Sequence, residues 1–215
     1  MPVYFHVHDA SWFLNDFIPA LTRCRQRHSL APCRNLCLSL LPTAQGFGER
    51  FHICADELLV SRVNVDLPYN LDVWRLIVGE LLVVGAVEIP EIEQCPDMLC
   101  RLVASARCEL DTHEREALAP IQQAHLGSRD LMFGAAVYRF ANVGWNGVDD
   151  TARLAQYLGA VNVEEWTGDR LIACGLEVSD VDDELAYARN CLVGLQGLYR
   201  QAAQNGQVIV AELVS

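Results

Sequence analysis

Two histidines near the start of the chain offer the first chemistry. In "FHVHDASWF", residues 5 to 13, His6 and His8 flank one valine and Asp9 follows. On a strand, residues i and i+2 share a face, so both imidazoles could reach one metal ion. A catalytic centre then needs a further ligand and an open position for water. His28, His52, His113, His125 and several carboxylates could supply it, and none of them sits in a second motif. His52 and Cys54 in "FHICADE" form another i, i+2 pair on an expected strand. Were the two strands neighbours, His6, His8, His52 and Cys54 would converge, either as a metal centre or as a thiol activated by imidazole. The competing reading, which the sequence favours, makes them strand residues. One histidine then faces solvent or packs on the sheet, while Asp9 caps the next helix.

A second candidate is "FANVGWNGVDD", residues 140 to 150, where Trp145 lies between two glycines with asparagines at 142 and 146. An aromatic among adaptable polar groups is common in binding loops. Phe140, Asn142, Trp145 and Asn146 are therefore expected on a ligand-facing or partner-facing loop. The alternative is that Trp145 fills the core while Asn146 makes a turn or caps a helix. Known catalytic signatures are absent: there is no G-x-S-x-G, P-loop, H-E-x-x-H or G-x-G-x-x-G. "GFGE" at 46 to 49 reads as a turn. Asp180, Asp182, Asp183 and Glu184 lack the spacing and central glycine of a calcium loop, and suit a helix N-terminus instead.

Nine cysteines stand at 24, 33, 37, 54, 95, 100, 108, 174 and 191. The number is odd and no C-x-x-C pair occurs, so free thiols buried as small apolar groups are expected, and no cofactor. The formal charge is -12, and all 16 basic residues are arginine. Such a surface is a poor match for nucleic acid or an anionic membrane, whose binding depends on cations. It serves solubility and can steer basic partners. The most apolar run, "LIVGELLVVGAV" at 76 to 87, holds Glu80 and falls short of the ~20 residues a bilayer requires. No basic residue precedes Arg23, so no secretory leader is read and a soluble, cytoplasmic protein is expected.

The elements that must position these groups follow from periodicity. "PVYFHV" reads as a strand, followed by a helix from Ser11 that Pro19 should kink or interrupt. "NLCLSLLP" and "RFHICADELLV" read as a hairpin around "TAQGFGE". A buried helix is expected after Asn70, with Leu71, Trp74, Ile77, Val78 and Leu81 on one face and Gly85 as its left-handed stop. Further helices are expected from Asp97, from Asp111 to Gly127, over "DDTARLAQYLGAV" with Ala152, Leu154, Ala155 and Leu158 inward, and in "NVEEWTGDRLIACG". The strongest pattern begins at Ser179–Asp180: Val181, Leu185, Ala188, Leu192, Leu195, Tyr199 and Ala202 recur every three or four residues. Gly206 ends that helix and "QVIVAEL" follows as a strand. The fold class is α+β: a mixed or antiparallel sheet with several packed helices, and a long C-terminal helix running into a final strand. One domain over 1–215 is the simplest organisation, with a possible strand-rich subdomain 1–66 and a helix-rich remainder 67–215.

The stretch "VDDTARLAQYLGAVNVEEW", followed by "LEVSDVDDELAYARNCLVGLQGLYRQAAQNGQVIVAEL", resembles the C-terminal pattern of the YfbM-like family, bacterial proteins of unknown function. The pattern is a short helix, an acidic gap, a long helix with an apolar–aromatic pair (here Leu198 and Tyr199), small residues, glycine and a last strand. It covers about the last 70 residues. The resemblance implies an α+β fold and assigns no catalytic residue. Without a catalytic motif, the functional expectation is a non-enzymatic module that binds a protein partner in regulation or self-protection. The alternative is a metal-dependent or cysteine hydrolase that uses the histidine and cysteine cluster.

Overall fold

The computed structural model describes residues 3–40, 71–105, 118–131, 142–175 and 179–213. It separates into two compact units, His8–Ile89 and Met1–Val7 with Pro90–Ser215. Strand β1, Val3–His8, opens the chain. Asp9 then accepts the Trp12 N–H at 2.9 Å and starts α1, Ala10–Trp12. A π-helical turn, Phe13–Phe17, links α1 to α2, Ile18–Arg27. Here the expected interruption at Pro19 is found in a specific form. Pro19 has no N–H to give Asn15 and its ring would strike that carbonyl. The turn before it widens, and the Ile18 N–H reaches back five residues to Phe13 O.

His28 takes a left-handed conformation (φ 46°) to end α2. Helix α3, Ala31–Ser39, follows with Pro32 in its first turn. This corrects the expected strand over "NLCLSLLP": residues 35 to 39 are helical. Its apolar content suits either element, but Cys33 and Cys37 are both buried four residues apart, a helical period. The second strand of the expected hairpin, with "GFGE", lies outside the described residues. Helix α4, Leu71–Val84, forms as expected. Gly85 ends it, though without a left-handed φ. Any Cβ there would overlap the six-membered ring of Trp12, so the glycine serves close approach rather than chain reversal.

The other unit holds α5, Pro96–Ala104, and α6, Pro120–Leu126. Leu118 and Ala119 are not helical, so α6 does not continue a helix from Asp111; Pro120 fits only a first turn. Strands β2, Arg129–Asp130, and β3, Asn142–Asn146, follow. Then come α7, Val148–Gly159, a 3₁₀ turn, Val163–Glu165, and α8, Gly168–Ala173. Helix α9, Val181–Gln204, is capped by Asp180, whose carboxylate accepts from the N–H groups of Asp182 and Asp183. Gly206 (φ 62°) turns the chain into β4, Val208–Leu213.

Among the described residues the strands form one sheet in the order β1-β4-β3-β2, with β2–β3 and β3–β4 antiparallel. The fold is α+β, and the long helix leading into the last strand is present. Leu185, Ala188, Leu192, Leu195, Tyr199 and Ala202 of α9 are buried, chiefly against α7. On α7, Thr151, Leu154 and Leu158 face inward while Ala152 is exposed. Among the described residues, no helix is long and apolar enough to cross a membrane.

Candidate functional site

Asn146 closes β3 and is completely buried. Burying a primary amide is costly unless each of its groups is paired. Its Oδ1 accepts from the Ser128 N–H at 2.8 Å. Its Nδ2 donates to Gln123 O at 3.0 Å and to the Tyr199 hydroxyl at 2.8 Å. That hydroxyl donates in turn to Ala124 O at 2.7 Å. One side chain thus ties β3 to the last turn of α6 and to α9. Burial pushes the Tyr199 phenol well above its ordinary range, so the hydroxyl stays a neutral relay. His125 sits in the same turn and gives its Nδ1–H to Ile121 O at 2.9 Å. Burial pushes its pKa down to about 4 and keeps it uncharged.

Gly127 follows with φ 79°, and a Cβ there would overlap the backbone of Gly144 and Trp145. Only glycine lets the end of α6 lie this close to β3.

Above this base is a partly exposed rim. β2 pairs with β3 so that Arg129 lies opposite Trp145. The Arg129 guanidinium stands 4.8 Å from the centre of the half-buried Trp145 ring, a cation–π contact. Arg129 also bonds Asp150 on the first turn of α7. Asp150 accepts the Gly147 N–H at 3.2 Å and lies 3.7 Å from Arg153. Arg153 reaches Gln123 Oε1 at 2.5 Å. Two guanidiniums, about half exposed, therefore flank one carboxylate beside an indole face.

The residues expected on a binding loop are placed differently. Asn142, Trp145 and Asn146 lie on strand β3, and Phe140 lies outside the described residues. β3 is a strand because β4 pairs with it along its whole length, from Asn142↔Leu213 to Asn146↔Ile209. Arg129, Asp150, Arg153, Gln123 and Tyr199 complete the site and carried no local signal. Tyr199 stood in the apolar stripe of α9, and its hydroxyl gained meaning only with the partners.

His6 and His8 are both buried, so neither faces solvent as the strand reading allowed. His6 Nε2 donates to Glu212 Oε2 at 2.9 Å, within the sheet. His8 Nδ1 donates to Gly85 O at 3.1 Å, and its ring stacks on Trp12 at 5.3 Å. The two imidazoles are committed to different partners. His52 and Cys54 lie outside the described residues. Among the described residues, no group of three or more His, Cys, Asp or Glu side chains could hold a metal ion.

No family model and no curated protein matches the chain. Among solved structures, the chain is similar to the crystal structure of a protein of unknown function, YfbM from Escherichia coli. The TM-score is 0.46 and the identity 16%, over 67% of this chain and 90% of that one.

Proposed function

We propose that this chain is a non-enzymatic protein-binding module, acting in regulation or self-protection, and that it meets its partner through Trp145, Arg129 and Arg153. The observation that carries this reading is the Arg129 guanidinium over the half-buried indole of Trp145. Tryptophan and arginine are the side chains that most often dominate interface energies, above all when held rigid. Rigidity is supplied by the Asn146 hydrogen bonds beneath. The net charge of -12 steers basic partners toward the molecule, and the Trp145 rim anchors them on arrival. With this reading go a cytoplasmic location, no contact with nucleic acid or membrane, and membership of the bacterial YfbM-like proteins on the pattern of the last 70 or so residues.

The test is quantitative affinity capture from source-cell lysate with the parent chain, Trp145→Ala and Arg129→Glu, all shown folded by circular dichroism. A protein captured by the parent and depleted about tenfold or more with both variants is expected, since a hot-spot loss exceeds ~1.4 kcal/mol. Its direct binding is then measured by calorimetry. Capture that is the same with all three chains removes Trp145 and Arg129 from the interface.

A further inference from the structure

In the unit His8–Ile89, two cysteines on successive helices meet. Helix α2 ends at His28, and α3 begins at Ala31. This short corner sets Cys24, in the last turn of α2, against Cys33, in the first turn of α3. Their sulfurs are 3.0 Å apart, and the backbone N–H of Cys33 also points at Cys24 Sγ, at 3.3 Å. A disulfide bond is roughly 2.05 Å long, so about 1 Å of approach separates the dithiol from the bond. Both sulfurs are buried.

We propose that Cys24 and Cys33 are a two-cysteine oxidation site for hydrogen peroxide, with Cys24 attacked first and Cys33 closing a reversible disulfide. The roles follow from the geometry. The backbone amide of Cys33 donates to Cys24 Sγ and favours a negative sulfur there, and the Cys33 thiol lies within hydrogen-bond reach of the same atom. The Cys24 thiol is correspondingly held below its ordinary pKa, chiefly by the Cys33 thiol, with the Arg23 charge adding a little. Cys33 is pushed the other way by its role as donor and by burial. Cys24 is therefore the nucleophile and Cys33 the resolving thiol.

The chemistry balances with peroxide as the two-electron oxidant. Cys24 thiolate attacks one oxygen; an S–O bond forms, the O–O bond breaks, and the departing hydroxide takes a proton to leave as water. Cys33 sulfur then attacks the Cys24 sulfenic acid. An S–S bond forms, the S–O bond breaks, and the hydroxide leaves with the Cys33 proton as a second water. Two thiols and one peroxide give one disulfide and two waters. Burial of both sulfurs selects a small oxidant: both oxidants must be met in line by the attacking sulfur, and peroxide, little larger than water, needs a far smaller opening for that than glutathione disulfide. The product pins the end of α2 to the start of α3.

The sequence supplies a clean readout. Arginines at 23, 25, 27 and 34 let trypsin release Cys24–Arg25 and His28–Arg34 as separate peptides. The full chain is reduced, treated with hydrogen peroxide, unfolded, alkylated and digested without reductant. The expected result is complete loss of alkylation at Cys24 and Cys33, and recovery of the two peptides joined, reversed by dithiothreitol. Glutathione disulfide at equal oxidising equivalents is expected to leave both alkylated. In Cys33→Ser, Cys24 is expected to stop at the sulfenic acid and be trapped by dimedone present as the chain is unfolded. If both cysteines remain alkylatable under excess peroxide, or Cys24 is recovered joined to any other cysteine, the site does not exist. If Cys33 rather than Cys24 traps dimedone in the corresponding serine variants, the roles are wrong. The parent chain carries the first result, so it stands even if a variant fails to fold.

Discussion

The base of the Trp145 surface and the aromatic stack of the other unit bury polar groups by opposite means. At Asn146, four hydrogen bonds of 3.0 Å or shorter involve Asn146 or the Tyr199 hydroxyl, so direction specifies the arrangement. Around His8, by contrast, rings are stacked: His8 on Trp12, Trp12 on Phe17, and Phe13 beside both His8 and Phe17, with centroids 5.1 to 5.4 Å apart. The tip of Trp12 fills the space beside Gly85, and shape rather than direction does the specifying. A directional network fails when one member is removed, because the others are left buried and unpaired. A stack is adjustable and fails mainly when atoms are added.

The contrast is broken or sharpened first at Asn146. Asn146→Leu keeps most of the volume but leaves the Ser128 N–H without its acceptor, and takes one donor each from Gln123 O, which keeps the Gly127 N–H, and from the Tyr199 hydroxyl, which keeps Ala124 O. A loss of about 3 kcal/mol or more in denaturant unfolding is expected. A loss under about 1 kcal/mol means that the network is not what holds β3 to α6. Acid tests the same turn. His125 has a folded pKa of about 4 against a reference of 6.5, so between those values the unfolded chain binds a proton that the folded chain does not. Stability therefore falls as pH drops through that window, by at most about 1.4 kcal/mol per pH unit from this group. The measurement is the urea midpoint from pH 7 to pH 4, with His125→Gln expected to show a shallower fall.

In the stack, Gly85→Ala adds one methyl against the Trp12 ring. A cost of roughly 2 kcal/mol is expected, and Trp12→Phe in the same chain should recover part of it, because the smaller ring vacates that space. No recovery would place the strain in the backbone at Gly85 instead. Tyr199→Phe removes a single hydroxyl from the network and should cost about 1 to 2 kcal/mol. The smallest effect belongs to the rim. Arg129→Ala should change stability by less than about 0.5 kcal/mol, since the Arg129 guanidinium is about half exposed and Arg153 stays beside Asp150, yet it should weaken partner binding.

The rim was the harder part to find from sequence. In "NVGWNG" a tryptophan lies between two glycines, a pattern that favours a loop. Gly144 and Trp145 are instead where the end of α6 passes close to β3, and it is Gly127 on the α6 side whose Cβ would overlap their backbone. Arg129 and Trp145 are sixteen positions apart, and only the β2–β3 register brings them together. Cys33 and Cys37 were a helical signal inside a stretch whose leucines argued equally for a strand. By sequence, Pro19 and Gly85 are both backbone devices. Pro19 is one; Gly85 answers to a ring some seventy residues earlier.

By itself the sequence determined the α+β class, the long helix from Asp180 with its cap, its stop at Gly206, the last strand, and the Asp9 cap after β1. These rest on local periodicity and on hydrogen bonds between residues a few positions apart. Tertiary structure alone decided that β3 is a strand, that His6 and His8 serve different partners, that Asn146 is a buried hub, and that Cys24 touches Cys33. Each of these depends on which distant backbone supplies the missing donor, acceptor or neighbouring atom, and that choice is made by packing.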